Sequence, residues 1–294
     1  TLRDPERVEY NLVAMPGITN DSLNSRLVRM AENRGDALAI IDLEGGYVPN
    51  TEGTQSIQDR LGTVRATVNN VRTDLRLNSS YGAAYYPWVQ IRDTLNGATL
   101  WAPPSVAAIG ALSYSEAVSN VWFAPAGFTR GGLSTNNAAG IPIVGVRQRL
   151  TSKDRDSLYE NNINPIASFP AEGIVIFGQK TLQTTPSALD RINVRRLLIF
   201  LKREISRIAA TLLFDQNVQT TWNRFRGQAE SILSGVKSGL GLTDYKVVLD
   251  ETTTTPSLID RNILYAKIFI KPARAIEFIA IDFIITNTGA SFED

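Results

Sequence analysis

The most sustained periodicity in the chain runs through residues 191–214. Apolar side chains recur at Val194, Leu197, Leu198, Leu201, Ile205, Ile208 and Leu212, the i, i+3, i+4, i+7 spacing of one helix face. That stripe predicts one amphipathic helix. Arg191, Arg195, Arg196, Lys202, Arg203 and Arg207 all fall off it, with Glu204 the one acid in the stretch, so the helix reads as apolar on one side and cationic on the other. A second helix is predicted over 220–236, with Trp222, Phe225, Ala229, Ile232, Leu233 and Val236 on one side and Gly239-Leu240-Gly241 as its stop. Apolar runs over 245–249 and 263–270 read as strands. A third, over 275–285, is unusually long and apolar. Two helices followed by strands make a compact α+β module over 186–294.

The residues before it alternate between the two periods. A β-like run at 8–15 ends at the turn pair Pro16-Gly17, and Asn20 or Asp21 can cap a helix that carries Leu23, Leu27 and Met30 on one face. The run 37–41 is a strand that stops at Asp42. Ile57, Leu61, Val64, Val68 and Val71 mark another helix, and 81–91 an aromatic strand broken by Pro87. Pro103-Pro104-Ser105 opens a helix of small residues, proline being favoured at helix entry. Ser152 caps a helix to Tyr159, and 166–169 and 174–177 are two more strands. Strands alternating with helices predict an α/β domain over 1–185, a mostly parallel sheet with helices on both faces. The glycine-rich stretch 129–140 is the expected mobile loop, and the polar 181–188, with Pro186, the expected linker.

Composition removes whole classes of chemistry. The 294 residues include neither cysteine nor histidine. Disulfides, thiolate nucleophiles and Cys metal sites are therefore excluded. So are the usual general base near neutral pH and any Ser-His-Asp triad. Thirty basic against 29 acidic residues leave a net charge of +1, with no global field to recruit nucleic acid or an anionic membrane. No apolar run approaches the roughly 18 residues that span a bilayer. Thr1-Leu2-Arg3-Asp4 carries neither initiator Met nor signal pattern and reads as a fragment or a processed form.

Ser105 and Ser134 sit in no Gly-x-Ser-x-Gly elbow, and Asp42/Glu44 and Asp250/Glu251 are isolated acidic pairs whose ordinary reading is capping and solvation. No catalytic, metal or cofactor residue is nominated.

Short motifs in fixed order carry more information. The strand Asn78-Ser79-Ser80-Tyr81-Gly82-Ala83-Ala84-Tyr85-Tyr86-Pro87-Trp88 is followed by Ala102-Pro103-Pro104-Ser105 and Ala107-Ala108-Ile109-Gly110. Then come Val121-Trp122-Phe123-Ala124-Pro125-Ala126-Gly127, Asn161-Asn162-Ile163-Asn164-Pro165-Ile166 and Gly173-Ile174-Val175-Ile176-Phe177-Gly178. The cationic helix, Leu213-Phe214-Asp215, Trp222/Phe225, Asp250-Glu251 and Ile270-Lys271-Pro272-Ala273-Arg274 complete the order. Together these resemble the contractile phage (myovirus) tail sheath family.

The resemblance implies a subtilisin-like, non-catalytic core and an inner C-terminal domain against the tail tube. It implies a structural subunit of the virion tail, assembled in the host cytoplasm, that polymerises as helical rings and contracts to drive the tube through the host envelope for genome delivery. Its partners would be other sheath subunits, the tail tube protein, and baseplate and tail terminator proteins, with no nucleic acid or membrane. The alternatives are the sheath of a bacterial contractile injection system and, far behind, a subtilisin-like hydrolase. Under this resemblance Arg191, Arg195, Arg196, Lys202, Arg203 and Arg207 are the candidate tube contacts. Ala275-Ile276-Glu277-Phe278-Ile279-Ala280-Ile281-Asp282-Phe283-Ile284-Ile285 is the candidate strand exchanged between subunits. Family members also carry an N-terminal arm, and many carry outer domains; this chain starts almost at its first core strand, so those are expected to be missing.

Overall fold

The computed structural model describes residues 2–48, 56, 60–134 and 137–280. Its centre is a five-stranded sheet of order β1–β2–β3–β7–β8. The strands are β1 (Leu12–Ala14), β2 (Leu38–Ile41), β3 (Gly82–Tyr86), β7 (Ile163–Phe169) and β8 (Gly173–Ile176). The first four are parallel, and β8 returns antiparallel to β7.

Alternation along the strands feeds two separate cores. Leu38, Ile40, Ala83, Tyr85 and Ile166 point into one, against α3 (Pro104–Val118) and the start of α6 (Ile192–Thr211). Ala39, Ile41, Ala84, Tyr86 and Ile163 point into the other, with side chains of α1 (Asp21–Arg34), α2 (Val64–Asn69) and α5 (Ser152–Glu160). Helices thus cover both faces of a parallel-rich sheet, as the alternation predicts. The parallel strands are buried on both sides, which is why they read as continuous apolar runs.

Pro87 does more than break a strand. The cis Tyr86–Pro87 bond ends β3, and β4 (Val89–Arg92) departs into a different sheet. There it lies between β5 (Thr99–Ala102) and β6 (Ile143–Val146), both antiparallel to it. Neither outer strand has a strong sequence signal, because Leu100 and Val144 are exposed. Thr151, not Ser152, caps α5, in a reciprocal box with Asp154. The α2 helix continues as a π-turn over Asn70–Leu75; Ile57 of the predicted helix lies outside the described residues.

The loop expected to be mobile starts in the one-turn helix α4 (Gly127–Arg130) and is partly interior. Leu133, Ala138 and Ala139 are buried, and a Cβ on Gly110 of α3, one turn from Ala107, would sit 2.1 Å from the Ala139 oxygen. A helix lacking that Cβ lets the loop lie directly on it; residues 135–136 are outside the described set. The expected linker also starts inside the fold, since Thr181 and Leu182 are buried and the Leu182 amide donates to the Gly82 oxygen at 2.9 Å.

The second unit is α6, α7 (Gln219–Ser238) and a hairpin of β9 (Leu242–Val248) and β10 (Lys267–Pro272), with the short α8 (Pro256–Asp260) between the strands. Gly239 and Leu240, the latter left-handed at φ 63°, end α7 as the Gly-Leu-Gly signal predicts. Leu197 and Leu201 pack with Leu233, Val236 and Val247, while Ile192 and Ile199 belong to the first core. One helix therefore serves as a beam in both units. Residues 275–280 form no strand, and 281–285 lie outside the described residues.

Candidate assembly surfaces

The six cations nominated on α6 have different fates. Arg195 and Arg196 are 6% and 2% exposed and are not surface groups. The first two turns of α6 are almost wholly buried, so their cationic side chains meet the Ser80-Tyr81 segment and α3 instead of water. Arg195 lies over the Tyr81 ring at 4.0 Å and donates to the Ser80 hydroxyl. Arg196 donates to the Leu112 oxygen at 3.1 Å and to Glu116 at 2.6 Å. Burial pushes both guanidinium pKa values down, and Glu116 opposes the shift at Arg196. Long apolar stems make such burial possible once the head is partnered. As tube contacts these two are corrected to structural residues.

The remaining four lie nearer solvent. Arg203 and Arg207 both reach Glu9, at 2.5 and 2.7 Å, and Arg207 also pairs with Glu204 at 3.0 Å. Lys202 is exposed, its ammonium set beside Gly35, which closes the C-terminus of α1, where a cation favours the helix dipole. Arg191 stands at the head of α6 and holds Asp190 at 3.1 Å and Glu277 at 2.6 Å. Glu9 and Glu116 escape a sequence reading because they lie 198 and 80 residues from their partners, with no local signal.

The candidate exchange segment is exposed where described. Ile276, Phe278 and Ile279 are 82%, 84% and 77% accessible, while Glu277 turns inward. The β9–β10 hairpin is covered on one face only. Tyr245, Val247, Ile268 and Ile270 pack on the helices, whereas Phe269, Lys246, Lys267 and Lys271 face out. A two-stranded sheet also leaves unpaired outer edges, which are templates for another strand.

The two tempting serines are engaged structurally. The Ser105 amide and hydroxyl donate to the buried Asp42 carboxylate at 3.0 and 2.7 Å, and Gly17 adds an amide at 2.8 Å. Burial pushes the Asp42 carboxyl up from its ordinary value, against those hydrogen bonds. The Ser134 hydroxyl accepts from the Ile174 amide at 2.9 Å. Among the described residues no helix is long and apolar enough to cross a membrane, and no acidic group gathers for a metal ion.

The fold is thus a parallel-rich sheet enclosed on both faces, joined by one shared helix to a module with open edges and an exposed apolar stretch over 276–279. Comparison with known proteins gives this architecture its family. Residues 184–286 match the family model of the phage tail sheath C-terminal domain. The tail sheath protein of Vibrio phage KVP40 is 31% identical over all of this chain and 44% of its own length. That of Enterobacteria phage T4 is 30% identical over 99% of this chain and 44% of its own. The chain belongs to the tail sheath protein family, and it spans less than half the length of these relatives.

Solved structures agree at the level of fold. The contracted sheath complex of PVC, an extracellular contractile injection system, superposes with a TM-score of 0.73 at 21% identity, over 94% of this chain and 71% of that one. The contracted helical sheath of the anti-feeding prophage gives 0.72 at 23%, over 95% and 71%.

Proposed function

We propose that this chain is the core and C-terminal part of a contractile tail sheath subunit, which polymerises in helical rings around a tail tube and shortens to drive that tube through a host envelope. The observation that carries the reading is the relationship to phage tail sheath proteins along the whole chain. The architecture fits the mechanics. Contraction requires subunits that turn as rigid bodies while flexible connections keep the lattice joined. The doubly covered sheet supplies a rigid body, and the exposed segment after Pro272 supplies a connection.

In this reading residues 275–285 add a strand to the β9–β10 edge of another subunit, a mode in which main-chain hydrogen bonds give the affinity. Lys202, Arg203 and Arg207 are the surviving candidates for an acidic tube surface, Arg191 being held by Asp190 and Glu277. The role is mechanical and not enzymatic, and a subtilisin-like arrangement of the core fits with Asp42 and Ser105 spent on each other. Baseplate and terminator proteins would cap the polymer, and the host cytoplasm would be the place of assembly.

The injection-system sheath remains the second reading, favoured by the fold likeness to PVC and the anti-feeding prophage. The phage reading leads on sequence identity. Negative-stain microscopy of the full-length protein tests the proposal. Striated hollow polysheaths are expected, and discrete particles at every concentration and salt would overturn it.

A further inference from the structure

The C-terminal arm does not leave the subunit where its apolar run begins. The Glu277 Oε1 accepts from Arg191 Nε at 2.6 Å and from Gln179 Nε2 at 3.2 Å, and its Oε2 accepts from a second Arg191 nitrogen at 3.0 Å. This is a bidentate guanidinium–carboxylate pair, the geometry that gives such pairs both strength and direction. It is shielded, with the two side chains 26% and 17% exposed. Both donors are themselves anchored. Arg191 occupies the N-cap position of α6 and is braced by Asp190, while the Gln179 backbone oxygen accepts from the Ile192 amide at 2.8 Å and the Gln179 side chain is buried.

The residues around Glu277 mark where the attachment stops. In an extended segment alternate side chains share a side, so Ile279 should turn inward with Glu277. It is instead as exposed as Ile276 and Phe278. The core offers a partner at position 277 and none two residues on.

We propose that Glu277 is a clasp holding the root of the arm to its own subunit, so that the segment passed to a neighbour begins at Phe278 and not at Ala275. This rests on the strand-exchange reading above. The clasp fixes the point and direction of departure, so subunits that rotate against one another drag on residues from 278 onward while 275–277 move with their own core. Glu277 is thus a positioning residue for assembly, and its counterpart is the guanidinium at the head of α6.

Trypsin offers a direct readout, because Arg274 is exposed and cleavage after it must pull open the neighbouring residues, the clasp among them. In unassembled subunits of the full-length protein, Glu277→Gln should speed cleavage at Arg274 roughly tenfold, equivalent to about 1.4 kcal/mol, and give fewer, less regular polysheaths. Arg191→Gln should speed cleavage by a similar factor, and the double variant no more than either single one, because each change breaks the same pair. Cleavage unchanged by Glu277→Gln, or a double variant whose effect is the product of the two single ones, would overturn the clasp. Truncation after Glu277 separates the two ideas. It should keep Arg274 protected while abolishing polymerisation. If the truncated protein still polymerises, strand exchange fails; if Arg274 becomes labile, the clasp fails.

Discussion

The central sheet and the C-terminal hairpin are built on opposite terms. Every residue of β2 and β3 is buried, and each face of those strands feeds a different core. In β10, burial alternates position by position, one face packed on α6 and α7 and the other left to solvent. A doubly covered parallel sheet has no use for a neighbour on its faces. A lone two-stranded hairpin is marginal by itself and gains from any strand added at its edge. On the proposed reading the difference matches the two jobs of a contracting lattice: the sheet would keep subunit shape, and the hairpin and the segment beyond it would carry the links. Helix α6 belongs to both, so its substitution strikes both at once.

The sharpest way to break this comparison is at Arg196. A surface cation on a docking face would tolerate charge reversal, whereas Arg196 is buried against Glu116 and the Leu112 oxygen. Arg196→Glu would bury a carboxylate against the Leu112 oxygen and beside Glu116, whose own side chain reaches solvent. A charge left uncompensated in a buried place costs about 3–5 kcal/mol, and the solvated Glu116 adds only a screened repulsion. Against a typical total of about 5–15 kcal/mol, the subunit should unfold at low urea or fail to fold. A variant with an unshifted urea midpoint would show that the head of α6 is open to water.

A pair of alanines then sharpens the comparison. Ile40 is fully buried in β2, and its truncation should cost about 2–5 kcal/mol in urea unfolding. Phe269 lies on the open face of β10, and its truncation should change subunit stability by about 0.5 kcal/mol or less. Polysheath yield should respond in the other sense, dropping for Phe269→Ala in subunits that remain folded. Equal stability losses at the two sites would mean the hairpin's outer face is covered within its own subunit.

How much of this was legible depends on the range of each interaction. Both long helices, the stop at Gly239 and most sheet strands follow from periodicity, because a strand or stripe facing one core repeats locally. The fate of the arginines does not. Arg195 and Arg196 carry the same local signal as Arg207, and what separates them is that Ser80, Tyr81, Leu112 and Glu116 close over the first two turns of α6. The run at 275–285 is misleading for a related reason. Hydrophobicity says that a segment must be covered, and it does not say by which molecule. Glu277, one of two acids inside that run, reads as an interruption until Arg191 is found beneath it.

A smaller loss than at Arg196 or Ile40 is expected at the carboxyl end of the sheet, where Asp42 accepts from Gly17 and twice from Ser105. Asp42→Asn keeps one carbonyl oxygen, and the Ser105 hydroxyl can turn to accept from the new amide. One backbone donor is still left facing an NH2 group. An unmade buried hydrogen bond costs about 1–3 kcal/mol, and relief from burying a charge offsets part of it, so a net loss near the lower end is expected. The pH dependence fixes the sign independently. Burial raises the folded carboxyl above its unfolded value of about 3.9. Between those two values the folded state holds more proton than the unfolded chain, so the contribution of Asp42 to stability falls as pH rises through that window. Asparagine has no such slope. The stability advantage of wild type over Asp42→Asn should therefore be larger at pH about 3.5 than at pH 7, with other carboxylates common to both proteins cancelling in the difference. Urea midpoints at the two pH values measure it. A gap that widens with rising pH would mean that the three hydrogen bonds outweigh burial and hold the carboxyl below its ordinary range, leaving Asp42 an anion that the rigid unit was built to keep.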